Sequence, residues 1–136
     1  MKISTDREIL ESLFSTYASA FEAAQSAPDQ DGKRIYVPID VKHVARLIDN
    51  DPQVLFGRLY YHLDSKYRYE QSGGALVHFF ALNVGGARNC INYPYLCALT
   101  ADFRERHREN AKTFRLSVAA LIISLAAIVA QLADRS

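Results

Sequence analysis

Apolar positions are distributed along this chain in three different ways. Near the start, Leu10, Leu13, Phe14, Tyr17, Phe21 and Ala24 fall three or four residues apart, with Glu11, Ser15 and Glu22 elsewhere, which predicts an amphipathic helix. Thr5 and Glu8 stand at its head as a capping box, each side chain placed to satisfy the other's free backbone N–H. The helix is expected to run to about Gln25, its stripe serving core packing ahead of dimerisation. SAPDQDGKR, residues 26–34, is rich in turn formers and charge and reads as a surface loop.

The second is a series of short elements. Ile35, Tyr36 and Val37 predict a strand that stops at Pro38, and Asp40 is placed to cap a helix carrying Val41, Val44, Ala45 and Ile48 on one side. Asp49 to Pro52 supplies a sharp break and a new start, with Asp51 as N-cap and Pro52 at the first helical position, where its missing N–H costs nothing. The helix from Pro52 to about Lys66 turns Leu55, Phe56, Leu59 and Leu63 inward, while Arg58, Tyr61, His62 and Ser65 share the opposite face. After Tyr69, EQSGG reads as a loop and ALVHFFAL, residues 75–82, as a strand. Gly85 and Gly86 supply the turn of a hairpin that returns through Cys90 and Ile91. Pro94 then opens a helix with Leu96, Leu99, Thr100 and Phe103 facing one way. With no Gly or Pro from Tyr95 onward, that helix is expected to continue through RERHRENAKTFR.

The third stretch, Phe114 to Ala133, has no rhythm at all: FRLSVAALIISLAAIVAQLA carries no ionisable residue between Arg115 and Asp134. Twenty helical residues rise about 30 Å, the thickness of a bilayer's hydrocarbon core. Nine of them are Leu, Ile or Val, contributing about −3 to −5 kcal/mol toward insertion, which Ser117, Ser124 and Gln131 erode. A C-terminal membrane anchor is therefore expected; the alternative is the buried core helix of a soluble oligomer. Arg104, Arg106, Arg108, Lys112 and Arg115 precede the run and only Arg135 follows it. That bias predicts a cytoplasmic front domain, with the same cations placed to hold anionic lipid headgroups. Ala120, Ser124, Ala127 and Gln131 fall on one helical face and form a candidate homodimer seam, since small residues let two backbones approach closely.

Composition sharpens this picture. Apolar residues make up 49% of the 136, but they concentrate in the tail. A formal charge of +1 gives no global pull toward nucleic acid or acidic substrates. The opening MKISTDREILESLF lacks an uninterrupted apolar stretch and does not read as a secretory signal. Cys90 and Cys97 match no zinc or redox spacing and are expected as buried thiols, and His43, His62, His78 and His107 are scattered without metal-ligand spacing. No metal or cofactor is expected. NVGGAR is not followed by the Lys and Ser/Thr of a phosphate loop, and no Ser, His and acid arrangement has a recognisable spacing, so the chain reads as non-enzymatic.

The order strand, helix, sharp turn, helix, hairpin, helix over Ile35 to Arg104 resembles the winged helix-turn-helix superfamily. The phrases VKHVARLIDNDPQVLFGRLYYHLDSKYRY and INYPYLCALTADFRER also resemble small uncharacterised bacterial proteins that end in a hydrophobic helix. The first resemblance implies that the second helix of the turn and the hairpin face a macromolecule. It would place Gln53, Arg58, Tyr61, His62, Ser65 and Lys66 toward a partner, with Arg88 near the hairpin tip. From Arg34 to Arg104 eight basic residues stand against six acidic ones, with Asp64 close to the contact surface. A duplex contact wants a more basic face. A protein partner is therefore expected ahead of DNA.

The resulting expectation is an α+β, mostly α chain: an N-terminal amphipathic helix (1–25), a loop (26–34), a winged-helix-like domain (35–104), a charged helical connector (105–113) and a transmembrane helix (114–133). Its expected place is a bacterial inner membrane, crossed once, with the N-terminal domain in the cytoplasm. Its expected role is that of an adaptor or regulator; the alternatives are a membrane-tethered DNA-binding protein and the soluble oligomer.

Overall fold

The computed structural model describes residues 1–28 and 35–135. Residues 29–34, most of the expected loop and including Arg34, lie outside the described residues. The chain divides into two compact units, Met1–Thr100 and Ala101–Ser136. It is mostly helical, with a small sheet and one long apolar C-terminal helix.

Helix α1 spans Asp6–Ser26 behind the Thr5/Glu8 capping box: the Thr5 N–H donates to the Glu8 carboxylate at 2.8 Å and the Glu8 N–H to the Thr5 hydroxyl at 3.2 Å. Its apolar stripe delivers Ile9, Leu10 and Leu13 to the core. Farther along, Phe14 and Phe21 stack on Tyr93, whose hydroxyl donates to the Phe14 carbonyl at 2.8 Å. Strand β1, Tyr36–Pro38, leads to α2, Val41–Leu47, capped by Asp40.

The turn after α2 is held by a Schellman arrangement. Asp49 takes a left-handed φ of 54°, its N–H donates to the Arg46 carbonyl, and the Asn50 N–H reaches the Ala45 carbonyl at 2.8 Å. Asp51 then caps α3, Pro52–Gly57, through the N–H groups of Gln53 at 2.8 Å and Val54 at 3.1 Å. The helix expected to be regular to Lys66 is not. Arg58–Leu63 forms a π-helical segment before α-helical winding resumes in α4, Asp64–Tyr67. Across this change of winding Leu55, Leu59 and Leu63 all stay fully buried.

The sheet region also differs from the expected pattern. The single strand over 75–82 is broken into β3, Leu76–Val77, and β4, Phe80–Val84. The supposed loop is framed by β2, Tyr69–Glu70, which pairs antiparallel with β3. The break falls at His78 and Phe79, where a side chain described below replaces the ladder. Strand β5, Ala87–Asn92, pairs with β4 across Gly85 and Gly86, both at positive φ as a two-residue hairpin turn demands, and also with β1. The three-stranded order is β1-β5-β4, antiparallel throughout.

Helix α5, Tyr93–Asp134, begins where the Asn92 side chain accepts the Tyr95 N–H at 3.3 Å. Leu96 and Thr100 are fully buried and Leu99 nearly so, as their shared face predicts. Cys90 is buried and Cys97 half-buried, both as free thiols, and burial pushes both above the usual thiol range.

The Asp51 cap closes the turn on which α3 is aimed. Asp51→Ala is expected to cost about 1 kcal/mol, read as a lowered melting temperature of the detergent-solubilised chain by circular dichroism.

Candidate interaction site

The residues singled out on the helix after the turn divide into two sets. Arg58, His62 and Lys66 stand four residues apart and all turn toward Asp6, in the first turn of α1. The Arg58 guanidinium ion-pairs with the Asp6 carboxylate and also donates to the Ser4 carbonyl at 2.7 Å. His62 Nε2 lies 3.3 Å from Asp6 Oδ2, and Lys66 Nζ lies 3.9 Å from it. With side chains only 22% and 17% exposed, Arg58 and Asp6 form a largely desolvated pair. Burial raises the Asp6 carboxyl, but the hydrogen bonds and charges of Arg58 and His62 outweigh it and hold the group below its ordinary value of 3.8. Ser4, itself buried, accepts from the Asn50 amide at 2.9 Å, so the head of α1 is tied to the α2–α3 turn as well.

The second set remains on the surface. Gln53, Tyr61 and Arg88 line one open groove of about 700 Å³, floored by apolar groups that include Ile39, Val41 and Phe56. Tyr61 and Ser65 line a second of about 570 Å³, between the π-helical segment and α4 on one side and Phe80–Asn83 of β4 on the other. Tyr61, 75% exposed, is the ridge both grooves share. The change of winding parts Arg58 from Tyr61, three residues on, which an uninterrupted α-helix would have put on one face.

At the base of the second groove lies Asp64, expected close to the contact surface and here only 3% exposed. Its Oδ1 accepts the N–H groups of Phe79 at 3.0 Å and Phe80 at 3.1 Å, and its Oδ2 stands 3.0 Å from His78 Nδ1. These contacts end β3 and start β4. Asp64, His78, Arg68 and Leu82 were not singled out as binding residues from the sequence, because partners 14 to 16 residues apart carry no periodic signal. The break in the apolar run at His78 was the one available hint.

The remaining candidates lie on α5. Ala120, Ser124, Ala127 and Gln131 are exposed, and the Ser124 hydroxyl donates to the Ala120 carbonyl at 3.0 Å. Arg104, Arg106, Arg108, Lys112 and Arg115 are also exposed, with Arg106 paired to Asp102 one turn back. Among the described residues no three His, Cys, Asp or Glu side chains gather as a metal-binding group.

Removing Asp64 orphans two buried N–H groups. Asp64→Ala is expected to cost about 2–4 kcal/mol, measured by urea unfolding in detergent. Asp6→Asn is expected to cost about 1–2 kcal/mol at neutral pH. Because the folded carboxyl titrates below its unfolded value, this contribution is complete above about pH 5 and is lost as pH falls through the lowered value. Melting curves of wild type and Asp6→Asn should therefore converge in acid. Comparison with protein-family models, curated proteins and solved structures gives no match for this chain.

Proposed function

We propose that this chain is a non-enzymatic adaptor or regulator, held in a bacterial inner membrane by its C-terminal helix, whose front unit recognises a protein partner from the cytoplasmic side. The carrying observation is the apolar stretch of α5: its most hydrophobic eighteen-residue window has a mean hydropathy of 2.4 and none of it is buried. An exposed apolar surface of that extent is unfavourable in water and calls for another solvent or another chain. The excess of cations before the run supports the orientation with the front unit inside.

For the front unit, the element order and the sheet order β1-β5-β4 support a winged-helix-like reading. So does the sharp α2–α3 turn. The chemistry of the exposed face favours protein over DNA. Asp6 already engages Arg58 and Lys66, two of the cations that a duplex would need on its phosphates, together with His62. What stays open is Tyr61 between two part-apolar grooves, a side chain of the kind that dominates protein interfaces.

Alkaline carbonate washing of membranes should leave the protein in the pellet. Release as a detergent-free soluble particle would instead identify α5 as the core of an oligomer. Crosslinking and affinity recovery of the tagged chain from native membranes should yield a protein whose recovery falls about tenfold with Tyr61→Ala. Recovery of DNA with a steep salt dependence would overturn the protein reading.

A further inference from the structure

The geometry points to the outer edge of β4 as a strand-addition site for an extended, carboxylate-bearing peptide segment of a partner protein. This rests on the protein-recognition reading above and gives it a place and a chemistry. Strand β4 ends the order β1-β5-β4, so only one of its long sides is paired. The Asn92 N–H donates to the Phe79 carbonyl at 2.9 Å, which turns Phe79 toward β5. In an antiparallel ladder successive residues alternate, so Phe80 turns its backbone groups to the outer side; at the other end Val84–Ala87, the closing pair of the two-residue turn, faces β5, so Asn83 turns outward as well. Phe80 agrees with this, since its N–H donates outward to Asp64. At Asn83 the edge has no strand beyond it and turns its N–H and C=O to the second groove, whose far wall carries Tyr60, Tyr61 and Arg68. An edge strand facing a helix across a groove is the geometry in which an added strand gains main-chain hydrogen bonds on one side and side-chain contacts on the other.

The charge of this groove selects the occupant. Its one carboxylate, Asp64, is buried and already accepts two N–H groups, with His78 beside it. Arg68 lines the same groove, and Arg88 lines a smaller hollow of about 320 Å³ that shares Leu82 and Asn83 with it. Neither arginine has an ion-pair partner among the described residues. An acidic side chain on the incoming segment would meet both an unpaired guanidinium and the donors of the edge. A nucleic-acid strand fits less well. Its phosphodiester backbone only accepts hydrogen bonds and would set negative charge against the outward carbonyls.

The test uses the detergent-solubilised full chain and fluorescein-labelled nine-residue peptides of alternating Thr and Val, carrying two Glu, two Gln or two Lys at matched positions. Fluorescence anisotropy should show the Glu peptide binding about tenfold more tightly than the Gln or Lys peptide. N-methylation of alternate backbone amides in the Glu peptide should abolish binding. Arg68→Gln should reduce the preference for Glu over Gln to near unity. Asn83→Pro, which removes an outward N–H and leaves the Val84–Ala87 closing pair its hydrogen bonds, should abolish binding, with circular dichroism melts showing whether each variant folds as wild type. Equal affinity for the three peptides, indifference to N-methylation, or no binding to any of them would overturn the site. So would binding of a 30-base-pair duplex that the Glu peptide cannot displace. A partner recovered from membranes that is lost with Tyr61→Ala but kept with Arg68→Gln and Asn83→Pro would also overturn the β4 site, while leaving protein recognition standing.

Discussion

The front unit depends on one buried carboxylate. A charge removed from water is tolerated only where donors surround it, and Asp64 has two backbone N–H groups and an imidazole within hydrogen-bond reach. Because it sits at the start of α4 and its donors open β4, a single side chain sets how far the helix stands from the sheet edge. The π-helical segment just before it has a geometric reason. Side chains four apart on an α-helix drift by about 40° around the axis, and a π turn, with more residues per revolution, reverses that drift. Leu55, Leu59 and Leu63 thereby stay on one line in the core, and Asp64 follows them inward.

Asp6 does a related task at the other end of the same helix. Its carboxylate is the common partner of Arg58, His62 and Lys66, so the start of α1 is held against the helix that follows the turn. The cations that look most suited to an external anion are committed to an internal one. What the face offers a visitor is therefore aromatic and apolar surface, with an outer strand edge and two arginines unpaired among the described residues, a mixture suited to polypeptide.

Local chemistry made much of this readable beforehand. The capping box, the Asp51–Pro52 start, the paired glycines of the hairpin and the apolar C-terminal run are all encoded within a few residues of one another, and each appears where its pattern places it. Contacts between distant positions stayed hidden. Nothing near Asp6 announces that residues 58, 62 and 66 converge on it, and nothing near Asp64 announces the backbone of Phe79. The division of ALVHFFAL into two strands follows from that second contact, because a side chain there does the work of a ladder. The π-helical winding was hidden for the same reason: it answers to burial by the whole unit, and helix propensity does not report it.

The serines of α5 carry a consequence for the energetics of its apolar run. The Ser117 hydroxyl donates to the Thr113 carbonyl and the Ser124 hydroxyl to the Ala120 carbonyl, each at 3.0 Å, so both protons are spent within the helix. In a medium with no hydrogen bonds to offer, neither would be stranded. Of the three polar side chains in the run, only Gln131 would then bear a large dehydration penalty, and it lies three positions before Asp134, close to the end where water would return.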